Sequence, residues 1–307
     1  MDEDKKGNFL NIYGMIFVVF GSLNLLFFHL LSGMKGNVVA SVRILLMVLV
    51  LAIIATFGKK WTNIEKREWG YLIFGGALSF GLYTYCLATG LAATSLTQGS
   101  IIFNLAAVFA MIFAVIFKQE SWNWSAFFGA IVAIIGVGIS SASASGQGTG
   151  TIYGDVLVLI AAASLSLGTV IAHKIGTRHH PIALTSLLGF FGLVALLPFT
   201  IIDFINTPWF HLDWNKYSML LFIGILGGAL AFGAYFKCVE LVGASAAVVY
   251  IFLNVPLSIF YSRVFLNENV HWLQIIGAII VLAGAGWSVY ARNKTAKQAI
   301  NHHVSHV

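Results

Sequence analysis

Residues 75–86 read GGALSFGLYTYC and residues 227–238 read GGALAFGAYFKC, so that eight of the twelve positions are identical. Identity this dense between two parts of one chain indicates a duplicated structural unit. Each copy lies in a mostly apolar stretch of about 20 residues, the length that a helix needs to cross a bilayer. The two copies are therefore predicted to be equivalent transmembrane helices.

A second pair of segments extends the duplication to the end of each half. The matched residues are Trp124, Gly129, Ala130, Ile131, Gly136, Gly138 and Ser140, which correspond to Trp272, Gly277, Ala278, Ile279, Gly284, Gly286 and Ser288. Each predicted helix lies five spans away from its copy, and an odd separation makes the two copies antiparallel. Inverted repeats of this kind build many secondary transporters.

The composition indicates that lipid surrounds the chain. Of its 307 residues, 59% are hydrophobic and 9% are charged, whereas soluble domains average about 45–50% and about 25%. The candidate spans are residues 10–31, 37–57, 69–90, 95–117, 123–141, 152–173, 181–203, 217–239, 244–266 and 271–291. The predicted fold class is an all-α integral membrane protein with ten transmembrane helices in two inverted five-helix repeats.

The basic residues predict the orientation of the chain. If the N-terminus is cytoplasmic, twelve Lys and Arg residues lie in inside segments and only Lys35 and Lys216 lie in outside segments. Cytoplasmic loops carry such an excess, so both termini are predicted to be cytoplasmic. The predicted domains are a first repeat at 1–140, a linker at 141–151, a second repeat at 152–291 and a cytoplasmic tail at 292–307.

Several classes of function lack the residues that they require. The net charge of +6 is accounted for by the loops of a membrane protein, so we expect no nucleic-acid partner. The two cysteines lie in apolar stretches, and the chain has no ATP-binding, zinc-protease or serine-hydrolase motif. We therefore expect no enzyme activity, no cofactor and no metal site.

The second half contains LVGASAAVVYIFLNVPLSIFYSRVFLNENVHWLQIIGAIIVLAGAGW at residues 241–287. Its small residues, the mid-helix Pro256, the following glutamate and the Gly-Ala-rich last helix resemble EamA-type members of the drug/metabolite transporter superfamily. The corresponding first-half run, residues 95–138, has Val108 in place of the proline and keeps the glutamate as Glu120. The resemblance covers nearly the whole chain. It implies efflux of amino acids or related metabolites across the plasma membrane.

Polar and aromatic side chains within the predicted spans are the candidates for substrate contact, since polar groups inside a bilayer often line a cavity. The predicted substrate-binding residues are Ser22, Asn24, Tyr83, Tyr85, Gln98, Asn104, Ser166, Tyr235, Lys237, Tyr250 and Asn254. Tyr83 and Tyr235 are equivalent in the two copies, and Tyr85 is the counterpart of Lys237. Each of these groups could instead join helices by hydrogen bonds. Lys237 could also extend its charged end to the water at the membrane surface.

The sequence thus predicts a secondary transporter that works by alternating access on a small-molecule substrate. Its midplane cavity is predicted to form mainly from spans one, three, four, six, eight and nine, an assignment that draws partly on the resemblance. An uptake permease for a metabolite or sugar and a channel-like facilitator remain alternatives. The expected partners are the substrate and membrane lipid, and the expected state is a monomer or a homodimer in the plasma membrane.

Overall fold

Helices form the whole regular structure of the residues that the computed structural model describes, which are 12–119, 122–146, 151–176, 178–242, 250 and 252–304. The α-helices are α1 Ile12–Leu30, α2 Gly36–Phe57, α3 Trp69–Gly76, α4 Tyr83–Ala93, α5 Leu96–Phe103, α6 Ala106–Ile116, α7 Trp124–Gly146, α8 Ile152–Gly176, α9 Pro181–Asn206, α10 Trp214–Leu221, α11 Ala231–Val242, α12 Asn254–Phe265 and α13 Trp272–Val304. Two π-helical segments, Ala77–Leu82 and Phe222–Leu230, join α3 to α4 and α10 to α11. These residues contain no strand, which agrees with the predicted helical class.

Seven helical segments within the described residues are long and apolar enough to cross a membrane. They are Ile12–Leu30, Gly36–Phe57, Trp69–Ala93, Leu96–Ile116, Ile152–Gly176, Pro181–Asn206 and Trp214–Tyr235. Predicted spans five and ten correspond to the shorter apolar stretches Trp124–Ser140 and Trp272–Ser288. Predicted span nine lies partly outside the described residues. A multi-pass membrane protein is confirmed, and the count of ten stays a prediction.

Predicted spans four and nine do not run as single straight helices. The first is interrupted after Phe103, where Asn104 and Leu105 form a turn before α6. In the second, Leu253 precedes a fresh helix start at Asn254, so that Pro256 lies in the first turn of α12. A proline there removes an N–H group that has no partner within the helix anyway. The first half has the interruption without a proline.

Helices α7 and α13, the fifth and tenth predicted spans, pack backbone against backbone. A methyl group added at Gly284 would lie 2.5 Å from the Ala133 nitrogen and 2.6 Å from the Gly129 oxygen. One added at Gly136 would lie 2.8 Å from the Gly277 oxygen. Close approach of this kind is how helices associate in lipid, where burial of apolar surface supplies no driving force. The glycines that match between the repeats therefore form the contact between α7 and α13, the two equivalent helices.

The other contacts between helices follow the duplication. Helix α4 packs on α8, and α11, which contains most of the second copy of the repeated motif, packs on α1. Likewise α6 packs on α8 while α12 packs on α1, and α2 packs on α9, its own counterpart. Exchanging the two halves reproduces these contacts, which fits the predicted inverted repeat. Helix α7 continues to Gly146, so the first six residues of the predicted 141–151 linker are helical.

We expect Gly284→Ala to lower the thermal denaturation midpoint of the purified protein in detergent. The added methyl group would overlap backbone atoms of α7, and overpacking of this kind costs about 1–3 kcal/mol. Differential scanning fluorimetry of the wild type and the variant measures the change.

Gly286→Ala is the matched control, because a methyl group at Gly286 meets no atom within 4 Å. Alanine raises helix stability by about 0.5–1 kcal/mol relative to glycine, so the midpoint should stay or rise. Equal loss in both variants would contradict the close contact between α7 and α13.

Candidate functional site

A cavity of about 520 Å³ lies between the two halves of the bundle. Its walls come from α1, the segment Ala77–Leu82, α4, α5, α6, α8, α9, the segment Phe222–Leu230, α11 and α12. Side chains on its inner wall, such as Tyr83 and Phe103, are buried, whereas Thr169 and His173 are exposed. The cavity therefore reaches the surface where α8 ends and α9 begins, which we call the open end. Its size is in the range of small-molecule sites.

The walls are mostly aromatic and small side chains. Phe80 and Phe232 hold equivalent positions in the two motif copies, as do Tyr83 and Tyr235, and all four line the cavity. The rings of Tyr83 and Phe103 stack with their centroids 5.9 Å apart. Part of this wall is formed by the two π-helical segments, a geometry that recurs at functional sites. Such a surface suits a solute with an apolar body and a few polar groups.

Five of the predicted substrate-binding residues lie on the wall of this cavity. They are Asn24, Tyr83, Ser166, Tyr235 and Asn254. The Ser166 hydroxyl lies 2.7 Å from the Ala106 carbonyl oxygen and 2.8 Å from that of Ala162, so its hydrogen is held within the protein. The structure thus brings together residues from five of the predicted spans, and their contact with substrate stays a prediction.

Three predicted residues lie away from the cavity wall and form hydrogen bonds within the bundle. The Ser22 hydroxyl donates to the Val18 carbonyl at 2.7 Å, within its own helix. Gln98 accepts a hydrogen bond of 2.6 Å from Ser140 on α7. The Asn104 amide nitrogen donates to the Ser100 carbonyl at 2.8 Å, one turn earlier, and its Oδ1 has no hydrogen-bond partner among the described residues.

The remaining three predicted residues also lie away from the cavity wall. Tyr85 packs against hydrophobic residues of the core. Lys237 is exposed on α11, and Tyr250 is buried beside Gly14 of α1. Substrate contact by these residues stays a prediction. Phe80, Phe103 and Phe232 were not among the predicted residues, although the match of Phe80 with Phe232 in the repeat is a signal that could have found two of them.

Two amide groups supply unpaired hydrogen-bond acceptors on the cavity wall. The side chains of Asn24 and Asn254 are buried on its wall, and the Oδ1 atom of each has no hydrogen-bond partner among the described residues. An unpaired acceptor in such a place costs free energy, about 1–3 kcal/mol. A solute that carries N–H or O–H donors would satisfy both.

Arg43 of α2 lies just behind the cavity wall and is completely buried. Its guanidinium carbon is 5.5 Å from the Phe28 ring centroid, 5.8 Å from that of Tyr83 and 5.6 Å from that of Phe232. Each cation–π contact contributes about 0.5–2 kcal/mol, against an insertion cost of about 2.5–3.5 kcal/mol for arginine at the centre of a membrane helix. Nη1 also donates to the Thr84 hydroxyl at 3.1 Å. The Tyr83 side chain interacts with the guanidinium as well. The structure therefore holds this charge by three rings and by the polar groups of Thr84 and Tyr83.

The opposite side of the bundle is closed by Glu268, in the loop before α13. Its carboxylate accepts hydrogen bonds from the backbone N–H groups of Leu96 at 2.9 Å and Thr97 at 3.4 Å. It thereby caps the first turn of α5, where N–H groups lack partners within the helix. His29 lies 3.9 Å from the same carboxylate and donates through Nδ1 to the Leu91 carbonyl at 2.7 Å. We call this group, Glu268 with Leu96, Thr97 and His29, the closed end.

The connections at the open end are tied by a charged cluster around Glu68. This buried carboxylate accepts a hydrogen bond from the Glu65 backbone N–H at 2.8 Å and lies 3.2 Å from Nε2 of His179 and 3.5 Å from Arg178. The Glu65 hydrogen bond, with His179 and Arg178, lowers the pKa of Glu68. The carboxylate thus stays charged and links the loop before α3 to the connection between α8 and α9.

Comparison with known proteins places the chain among membrane transporters. The profile of the EamA-like transporter family matches residues 6–142 and 152–290. A relative from Archaeoglobus fulgidus, described as an uncharacterized transporter, is 26% identical over 250 residues, covering 80% of this chain and 86% of the relative. A protein of the same description from Clostridium kluyveri is 24% identical over 242 residues and 77% of each chain.

A solved crystal structure shares the fold, with a TM-score of 0.65, 12% identity and coverage of 92% of this chain and 96% of the other. The family profile matches both halves of the chain and does not match residues 143–151 between them. The chain belongs to the EamA-like transporter family and is a membrane transporter, not an enzyme.

Proposed function

We propose that the protein is a secondary transporter that moves amino acids or related small metabolites across the plasma membrane by alternating access. The observation that carries this proposal is the cavity between the repeats, with apolar walls and the two unpaired amide oxygens of Asn24 and Asn254. The ammonium group of an amino acid offers N–H donors to such acceptors, and its side chain suits the aromatic wall.

The cavity ends blind at its buried wall, which supports alternating access over a permanently open channel. Alternation requires a second arrangement in which the closed end opens and the open end shuts. The few bonds of Glu268 and His29 are contacts that such a movement can break. The duplicated sequence supplies two related halves whose arrangements can be exchanged.

The basic residues flanking the open end support the orientation. Lys174 and Arg178 lie at the end of α8, and the loop between α2 and α3 contributes Lys59, Lys60 and Arg67. By the positive-inside rule we place this end, and both termini, in the cytoplasm. A cavity that opens to the cytoplasm is where the substrate of an exporter enters, so we propose efflux as the direction.

Counterflow in proteoliposomes loaded with a mixture of amino acids and common metabolites tests the function. We expect saturable exchange of at least one amino acid. Asn24→Leu preserves the size of the side chain and removes its amide, so it should reduce that exchange by about tenfold, the effect of one lost hydrogen bond to a charged group. Asn215→Leu, at an exposed position of α10, is the control and should leave exchange unchanged.

The outcomes separate the alternatives. Flux that does not saturate and shows no counterflow would favour a channel-like facilitator. Exchange of sugars alone would favour a sugar permease, and absence of any exchange by folded protein would overturn the substrate class.

Cysteine labelling tests the alternation and the orientation. In a chain with Cys86 and Cys238 replaced by alanine, we expect Thr169→Cys to react with an impermeant maleimide from the cytoplasmic side. Leu96→Cys, at a fully buried position of the closed end, should react about tenfold more slowly or less, since it is reached only through a minor state.

Adding Glu268→Gln should raise the labelling rate of Leu96→Cys from the outside. The labelling rate of Thr169→Cys from the cytoplasmic side should stay the same or fall. Equal labelling of both cysteines from both sides would contradict alternation between two arrangements that are each closed at one end.

A further inference from the structure

Arg43 has fewer partners than a buried guanidinium requires. Its Nε and Nη2 groups form no hydrogen bond among the described residues, and no carboxylate of those residues lies within 4 Å of it. Arginine stays protonated in proteins. A charged group inside a membrane protein normally faces a partner or a cavity, so the missing partner is the feature that needs a reason.

The guanidinium lies one side chain away from the cavity. Two of the three rings around it, those of Tyr83 and Phe232, also line the cavity. Rotation of either aromatic side chain would join the unpaired N–H groups to the cavity space, and the open volume beside them leaves room for that rotation.

The charge of the cavity favours an anion at this position. The described residues of its lining include no aspartate or glutamate, and His173 is the only titratable side chain among them apart from the two tyrosines. The planar guanidinium matches a carboxylate with two parallel hydrogen bonds. An entering carboxylate would therefore meet the donors of Arg43 with no competing negative side chain from the lining.

We propose that Arg43 is the anion-binding residue of this transporter and receives the carboxylate of the substrate when the Tyr83 and Phe232 side chains turn aside. This inference rests on the proposed function and deepens it, because it requires every good substrate to carry a carboxylate. Asn24 and Asn254 then accept hydrogen bonds from the other polar group of the solute. A purely structural role for Arg43, as an anchor among three rings, makes no demand on substrate charge.

Competition between matched solutes distinguishes these roles. Counterflow of the best exchanged amino acid is measured in proteoliposomes with unlabelled leucine or phenylalanine, and with leucinamide or phenylalaninamide, as competitors. We expect the wild type to favour each carboxylate over its amide by at least about tenfold, a modest factor for a site that loses a buried polar partner. Arg43→Gln should bring the ratio to near one.

The controls separate charge recognition from folding. Arg67→Gln makes the same chemical change at an exposed loop position and should keep the wild-type ratio. Arg43→Lys retains a positive charge and should preserve the preference for carboxylates with weaker exchange, because a point charge lacks the paired donors. Should Arg43→Gln fail to fold, the wild-type and Arg43→Lys ratios still decide the question.

The failure of this inference differs from that of the proposed function. Saturable exchange with equal competition by carboxylates and amides, or an unchanged ratio in folded Arg43→Gln, would overturn the role of Arg43 and leave the transporter standing. Absence of saturable exchange of any solute would overturn the proposed function and this inference with it.

Discussion

Direct contact between helix backbones is the interaction on which the rest of the structure depends. In lipid the apolar side chains gain nothing by leaving the solvent, so helices associate where small residues let their backbones meet. Gly168 meets Ser79, Gly192 meets the backbone of Gly76 and Gly81, and the α7–α13 pair closes in the same way. These contacts cross between the two halves. They fix the positions of the helices and leave the space between them as the cavity.

Some of the buried polar atoms without a hydrogen-bond partner lie at or next to that cavity, although each is costly in a medium without water. The amide oxygens of Asn24 and Asn254 and two N–H groups of Arg43 are without hydrogen-bond partners among the described residues. Polar side chains used for packing, such as Ser22 and Gln98, do form hydrogen bonds. Thr89, Asn104, Ser258 and Ser262 also have buried oxygens without a partner among the described residues, and none of these four lines the cavity. The two amide oxygens are therefore set apart by their place on the cavity wall, where a solute can reach them, and not by the lack of a partner alone.

The helical membrane fold could be predicted from the sequence because hydrophobic length and internal repetition are properties of the chain itself. The repeat also identified Tyr83 and Tyr235 as a pair facing one space. Depth and polarity could not separate Asn24, which lines the cavity, from Ser22, two positions earlier, whose hydroxyl bonds to its own helix. That difference depends on the direction in which each side chain leaves the helix and on the neighbour it meets, and both are set by packing against other helices.

The two halves share a sequence pattern but occupy different environments. His29 lies at the end of α1 within the closed end, whereas His173, in the last turn of α8, is exposed on the wall of the cavity. Each histidine closes the first helix of its half, so a strictly symmetric molecule would give both the same surroundings. Packed interfaces have discrete alternatives instead of intermediate positions, because interiors are as dense as crystals. Two equivalent residues held in two different environments show that the two halves are not packed identically. The proposed alternating access would require these two environments to be exchanged.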